Sequence, residues 1–226
     1  MPNSMDYYEL YGLPGCGKTT VSRLLVKQLR EEGYKVADFT DIFLKYSRGY
    51  LRKWEFIKLL FLIKEYPLFY HLWRLFKECN CKNKRRLSNL MILIHRIIRV
   101  KKNSDYDIIF LEEGVIQFIS SLVYLEKIRD NDRICKIVSR LNKIVKIQPI
   151  YCCLDIELSL ERIMGRERSG DRFSKSTDAD VMRKALNYKK TNLEIIATPF
   201  LYKMKIDMTE TIENNVKILE SKLLNK

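Results

Sequence analysis

Gly12-Leu13-Pro14-Gly15-Cys16-Gly17-Lys18-Thr19 fits G-x-x-x-x-G-K-[ST] at every fixed position, and its reading decides the fold. The apolar run Tyr7 to Tyr11 precedes it and reads as a short strand. Lys18 to Glu32 follows, with Val21, Leu24, Leu25 and Leu29 at helical spacing and Gly33 as the stop signal. Strand, glycine loop and helix together make a phosphate cradle. Gly12, Gly15 and Gly17 allow backbone conformations that turn N–H groups inward. Pro14, Cys16 and Thr20 complete the loop, and the helix N-terminus adds partial positive charge behind it. Lys18 is expected to reach the β- and γ-phosphates of ATP, and the Thr19 hydroxyl to bind Mg²⁺.

Outward from this loop, apolar strands alternate with helical segments. The expected strands are Tyr34–Phe39, Tyr106–Leu111, Pro149–Leu154 and Leu201–Ile206. The expected helices are Val115–Arg129, Asp132–Val145, Ser159–Arg166, Asp178–Ala197 and Thr209–Leu224. Such alternation implies a parallel sheet with helices on both faces, a three-layer α/β sandwich of the P-loop NTPase class. The 226 residues suffice for one such domain. Asp41 to Lys102 reads as helical, and about 45–104 as an insertion in that domain.

The insertion carries most of the net charge. The chain has 42 basic and 28 acidic residues, a formal charge of +14, and residues 45–104 alone contribute +13. A solvated helical face accounts for this most simply. A minor reading is a surface for nucleic acid or anionic membrane, because aromatics such as Trp54 and Trp73 interleave with its cations. The longest apolar stretch falls far short of the roughly 20 residues a bilayer span needs. No signal peptide is evident, so the expected compartment is the cytoplasm. The six cysteines are expected to be free thiols there, and with only two histidines the spacing argues against structural zinc.

Two further stretches carry chemistry. Asp107 to Leu111 runs into Glu112-Glu113-Gly114, which places two carboxylates beyond the carboxyl end of a strand, where doubly wound sheets bind ligands. One would hold Mg²⁺, with Glu112 the candidate ligand beside Thr19, and one would take the acceptor's proton. Gln117, a turn later, is a candidate acceptor contact, as are Asp41, Arg48 and Arg52 after the second strand. The segment at about 158–177 holds Arg162, Arg166, Arg168 and Arg172, suited to close over a transferring phosphate as a lid.

With these residues in view, the chain resembles the P-loop kinases of the thymidylate kinase-like, nucleoside monophosphate kinase group. The likeness lies in Tyr8 to Val36, in Cys153 to Phe173 with its LD…ERI…R…DRF pattern, and in Lys205 to Asp207 with the helix after it. It covers roughly half the chain. It implies a five-stranded parallel sheet with the P-loop on a central strand, and lid roles for the four arginines. Thymidylate kinases carry Asp-Arg-Tyr after the third strand, whereas this chain has Glu112-Glu113-Gly114. A carboxylate without that arginine suits an acceptor hydroxyl, as in nucleoside or sugar kinases.

The expectation is therefore an ATP- and Mg²⁺-dependent phosphotransferase with a small-molecule acceptor and a second copy of the chain as a candidate partner. A nucleoside monophosphate kinase is the alternative, and a P-loop ATPase or regulatory protein a further one. A GTPase is disfavoured, because Asn142-Lys143-Ile144-Val145 lacks the aspartate of the guanine-recognition element.

Overall fold

Strand β1 (Asp6–Gly12) lies at the centre of the molecule, and its alternating side chains define two cores. The structure is a computed structural model that describes residues 6–43, 70, 73, 74, 77, 84–103, 105–165, 178–200 and 204–224. The described strands form one five-stranded sheet in the order β2-β3-β1-β4-β5, with β2 Val36–Ala37, β3 Ile108–Leu111, β4 Ile147–Cys153 and β5 Met204–Asp207. Every pairing is parallel. This is the P-loop NTPase α/β fold, with the glycine loop on the central strand as expected.

Tyr8 and Leu10 face one way, into a core shared with α1 (Lys18–Glu31) and the last helix, α8 (Ile212–Leu224). Tyr7 and Tyr11 face the other way. They join α3 (Lys84–Asn103), α4 (Val115–Glu126), α5 (Asn131–Val145) and α7 (Ala179–Ala197). A third cluster of Leu13, Leu160, Ile163, Met182 and Leu186 ties the glycine loop to α6 (Ile156–Met164) and α7. No helix among the described residues is long and apolar enough to cross a membrane.

The second strand is shorter than its apolar pattern suggests. Instead of Tyr34–Phe39, only Val36–Ala37 pairs with β3. Asp38 then caps a short helix, α2 (Phe39–Ile42), in a reciprocal capping box with Asp41. Arg96 of α3, buried, donates to the carbonyls of Ile42 and Phe43 at 3.1 and 3.0 Å and closes the other end of that turn. In the fifth strand, Met204–Asp207 runs one residue past the expected end at Ile206, and the expected start at residues 201–203 lies outside the described residues. Most of the basic insertion, with Arg48 and Arg52, lies outside the described residues, as do Arg166, Arg168 and Arg172.

Candidate active site

The glycine loop leaves β1 at Gly12 and enters α1 at Lys18. Gly15 and Gly17 hold φ of 83° and 93°, in the left-handed region that glycine enters without strain. Side chains there would also collide, since a Cβ on Gly15 would lie 2.9 Å from the Ser159 carbonyl. α1 has no side-chain cap, so its first N–H groups remain available to an anion. Lys18 Nζ lies over the loop, donating to the carbonyls of Gly12 (3.0 Å) and Leu13 (2.8 Å) and to Cys16 Sγ (3.4 Å). Cys152 and Lys18 together draw the Cys16 thiol below its usual range, against the effect of burial. Cys16, Cys135, Cys152 and Cys153 are all free thiols. From α6, the Ser159 hydroxyl donates to the Pro14 carbonyl at 2.5 Å and braces the loop.

Glu112 arrives from β3, the neighbour of β1, and meets Thr19. Burial raises its carboxyl above the usual range. The neighbouring Thr19 opposes that shift, Glu113 adds to it, and Arg23 and Lys18 oppose it. Glu112 Oε2 is buried with no hydrogen-bond partner among the described residues. A hydroxyl and a carboxyl group side by side at the P-loop, the carboxyl with a buried oxygen that has no partner among the described residues, make a donor set that fits Mg²⁺, a hard cation usually held by one or two carboxylates plus phosphates and water. Glu113 is exposed.

A cavity of about 440 Å³ opens beside Glu112. Its walls are Ser22, Arg23, Val26, Lys27, Arg30 and Glu31 of α1 and, after β2, Asp38 with Phe39 and Thr40 of α2. Of the residues expected to contact an acceptor, Asp41 does not line it. Its carboxylate instead accepts from Arg30 at 2.8 Å and from the Asp38 N–H at 3.3 Å, beside a second cavity on the far side of Arg30. Asp38, three residues earlier, lines the first cavity instead, because the chain turns into α2 sooner than a longer strand would allow. Gln117 is buried in the first turn of α4, and its Oε1 accepts no hydrogen bond among the described residues. Arg162 leaves α6 toward β5 and donates to the Met208 carbonyl at 3.2 Å.

One buried group carries no motif. Glu9, at the middle of β1, is completely inaccessible to solvent. Its carboxylate accepts from the Tyr7 hydroxyl (2.8 Å) and the Gln117 N–H (3.0 Å), with the Val115 and Ile116 N–H groups also directed at it. Burial raises its pKa to about 7 against the pull of these donors. The signal was present in the sequence, as an acid on the inward face between Tyr7 and Tyr11, but strand periodicity alone does not say what meets it.

No protein-family profile matches the chain, and no curated protein matches it in sequence. Among solved structures it is similar to deoxyadenosine kinase from M. mycoides with bound dATP, at 14% identity and a TM-score of 0.50, over 96% of this chain and 98% of that one. It is likewise similar to shikimate kinase from Bacteroides thetaiotaomicron, at 13% identity and a TM-score of 0.50, over 98% and 99% of the two chains. At such identities the likeness speaks for the fold alone, the P-loop NTPase α/β architecture of the described sheet and helices.

Proposed function

We propose that the protein is a small-molecule kinase that moves the γ-phosphoryl group of ATP to an acceptor hydroxyl with the help of Mg²⁺. The observation that carries this reading is Glu112, which stands beside Thr19 and lines a cavity to which no residue from Gly12 to Thr19 contributes. A P-loop alone would serve an ATPase equally well. A second, acceptor-sized chamber beside the metal position is what transfer to another molecule requires.

In this reading the loop N–H groups and the α1 N-terminus hold the phosphates, and Lys18 exchanges its loop carbonyls for the β- and γ-phosphates. Thr19 and Glu112 would hold Mg²⁺, which when bound neutralises charge on the phosphates. With Glu112 so engaged, Asp38 on another wall of the cavity is placed to take the proton of the acceptor hydroxyl. The acceptor oxygen bonds to the γ-phosphorus, the bond to the bridging oxygen breaks, and ADP leaves. Arg162, Arg166, Arg168 and Arg172 are assigned to the closing lid, as the likeness to thymidylate kinase-like enzymes suggests. The whole chain is taken as one domain acting in the cytoplasm.

The competing acceptor is a nucleoside monophosphate, and Arg23, Lys27 and Arg30 on the α1 wall of the cavity are the cations that favour it. Purified protein with ATP, Mg²⁺ and separate panels of nucleosides, sugars and nucleoside monophosphates separates the readings. ADP formation that depends on a hydroxyl compound supports the proposal. Turnover with monophosphates alone replaces it, and ADP formation without any acceptor overturns both.

A further inference from the structure

We propose that Glu9 is a positioning residue that sets the metal-binding geometry from beneath, by acting as the cap of α4 from a neighbouring strand. This rests on the assignment of Thr19 and Glu112 to Mg²⁺ given above.

The N-terminus of a helix leaves its first N–H groups without intrahelical partners, and a side chain at the cap position ordinarily satisfies one of them. The cap position of α4 is Gly114, which has no side chain to offer. Glu9 supplies the missing acceptor from β1, across the sheet. Its Oε1 takes the Gln117 N–H, and its Oε2 takes the Tyr7 hydroxyl. Tyr7 Oη in turn accepts from the Val115 N–H at 3.4 Å. All of these partners are donors, so they suit a carboxylate. Gly114 must be glycine for this approach, because a Cβ there would lie 2.5 Å from the Glu9 carboxylate carbon and closer still to Tyr7 Oη.

The chain from Glu112 to Gly114 therefore spans two fixed points. One is the pairing of β3 with β1, where Glu9 itself registers with Leu111. The other is the first turn of α4, fastened to the Glu9 side chain. Backbone register on one side and carboxylate on the other both come from Glu9, and the segment between them carries Glu112 to Thr19. A residue touching neither metal nor nucleotide thus fixes where the acidic oxygen stands, in the way that outer partners orient metal ligands elsewhere.

The test uses Glu9→Gln, which keeps the size of the side chain and one acceptor oxygen but turns an NH₂ group toward donors. Tyr7→Phe removes the hydroxyl that donates to Glu9 and accepts from the Val115 N–H, leaves the Glu9 carboxylate in place, and guards against a folding defect. Calorimetry of ATP binding to the full chain, in EDTA and in Mg²⁺, gives the readout, with thermal unfolding alongside. Glu9→Gln is expected to bind ATP in EDTA within about 2-fold of wild type and to lose on the order of 10-fold in its Mg²⁺-dependent gain, with Tyr7→Phe showing a smaller loss of the same kind. An unchanged Mg²⁺-dependent gain in folded Glu9→Gln overturns the inference. So does an equal loss with and without Mg²⁺, which would mark Glu9 as a general support of the fold. Wild type that gains nothing from Mg²⁺ would instead remove the metal assignment itself, before Glu9 is in question.

Discussion

The loop after β1 and the turn after β3 lie side by side at the same edge of the sheet, and they are held in opposite ways. The loop after β1 holds itself. Lys18 reaches carbonyls five and six residues back, and the Cys16 N–H reaches the Leu13 carbonyl three residues back. The turn after β3 is held by groups about a hundred residues away in the chain: Gln117 N–H and Val115 N–H bond to Glu9 and Tyr7, each at a separation of 108. A structure held by its own neighbours leaves a compact signature in sequence. One held across the sheet leaves only an acid where an apolar residue is expected.

If that contrast is sound, the largest single effect belongs to the self-contained loop. Lys18→Ala should lower acceptor-dependent ADP formation by on the order of 10²–10³-fold, since it removes a charged donor from the developing phosphate charge. Steady-state assays on the variant check this. A loss below 10-fold would mean that Lys18 stays on its loop carbonyls during turnover.

The turn after β3 should instead reveal itself through protons. Glu9 has its folded pKa raised from 4.5 to about 7, so between those values the native state binds more protons than the unfolded one. Stability is then greatest below about pH 4.5 and falls as pH rises through 7, by about 3 kcal/mol if the whole shift is expressed. Glu9→Gln removes that slope. Urea unfolding of both proteins from pH 4.5 to 8 should show wild type losing about 3 kcal/mol relative to the variant. A difference that is flat with pH would mean that the donors around Glu9 fully offset its burial.

Gly114→Ala probes the same turn sterically. Its Cβ would strike Tyr7 Oη and the Glu9 carboxylate, both anchored in the central strand. A loss of about 1–3 kcal/mol in unfolding free energy is expected, the usual cost of forcing atoms into a filled core. The Mg²⁺-dependent gain in ATP affinity should fall with it, while ATP affinity in EDTA holds.

Much of this was legible without coordinates. The parallel α/β sheet and the central place of β1 follow from the alternation of strands with helices and from the glycine loop. What did not follow is instructive. Tyr34 to Phe39 has the apolar look of a strand, yet Asp38 finds the Asp41 N–H and starts a helix, which leaves Asp38, and not Asp41, lining the cavity beside Glu112. Local capping outcompeted strand propensity there. Glu9 is hidden in the sequence for the opposite reason: its partners are set by sheet register and by α4, and neither can be read from the residues beside it.

The smallest effect tests whether the loop after β1 truly stands alone. Outside the strand and helix it joins, the loop is braced by a hydrogen bond from α6, whose Ser159 hydroxyl donates to the Pro14 carbonyl, and by packing of Leu13 against α6 and α7. α6 is capped by Asp155, which accepts from the Glu157 N–H at 2.8 Å. Asp155→Ala should cost about 1 kcal/mol in stability by loosening that helix start. If the loop is self-contained, ATP affinity in EDTA stays within 2-fold of wild type, because Gly15, Gly17 and the α1 N-terminus are untouched. A fall in affinity matching the stability loss would show that the loop leans on α6 as heavily as the β3 turn leans on Glu9. The two edges of the site would then differ in the reach of their contacts and not in kind.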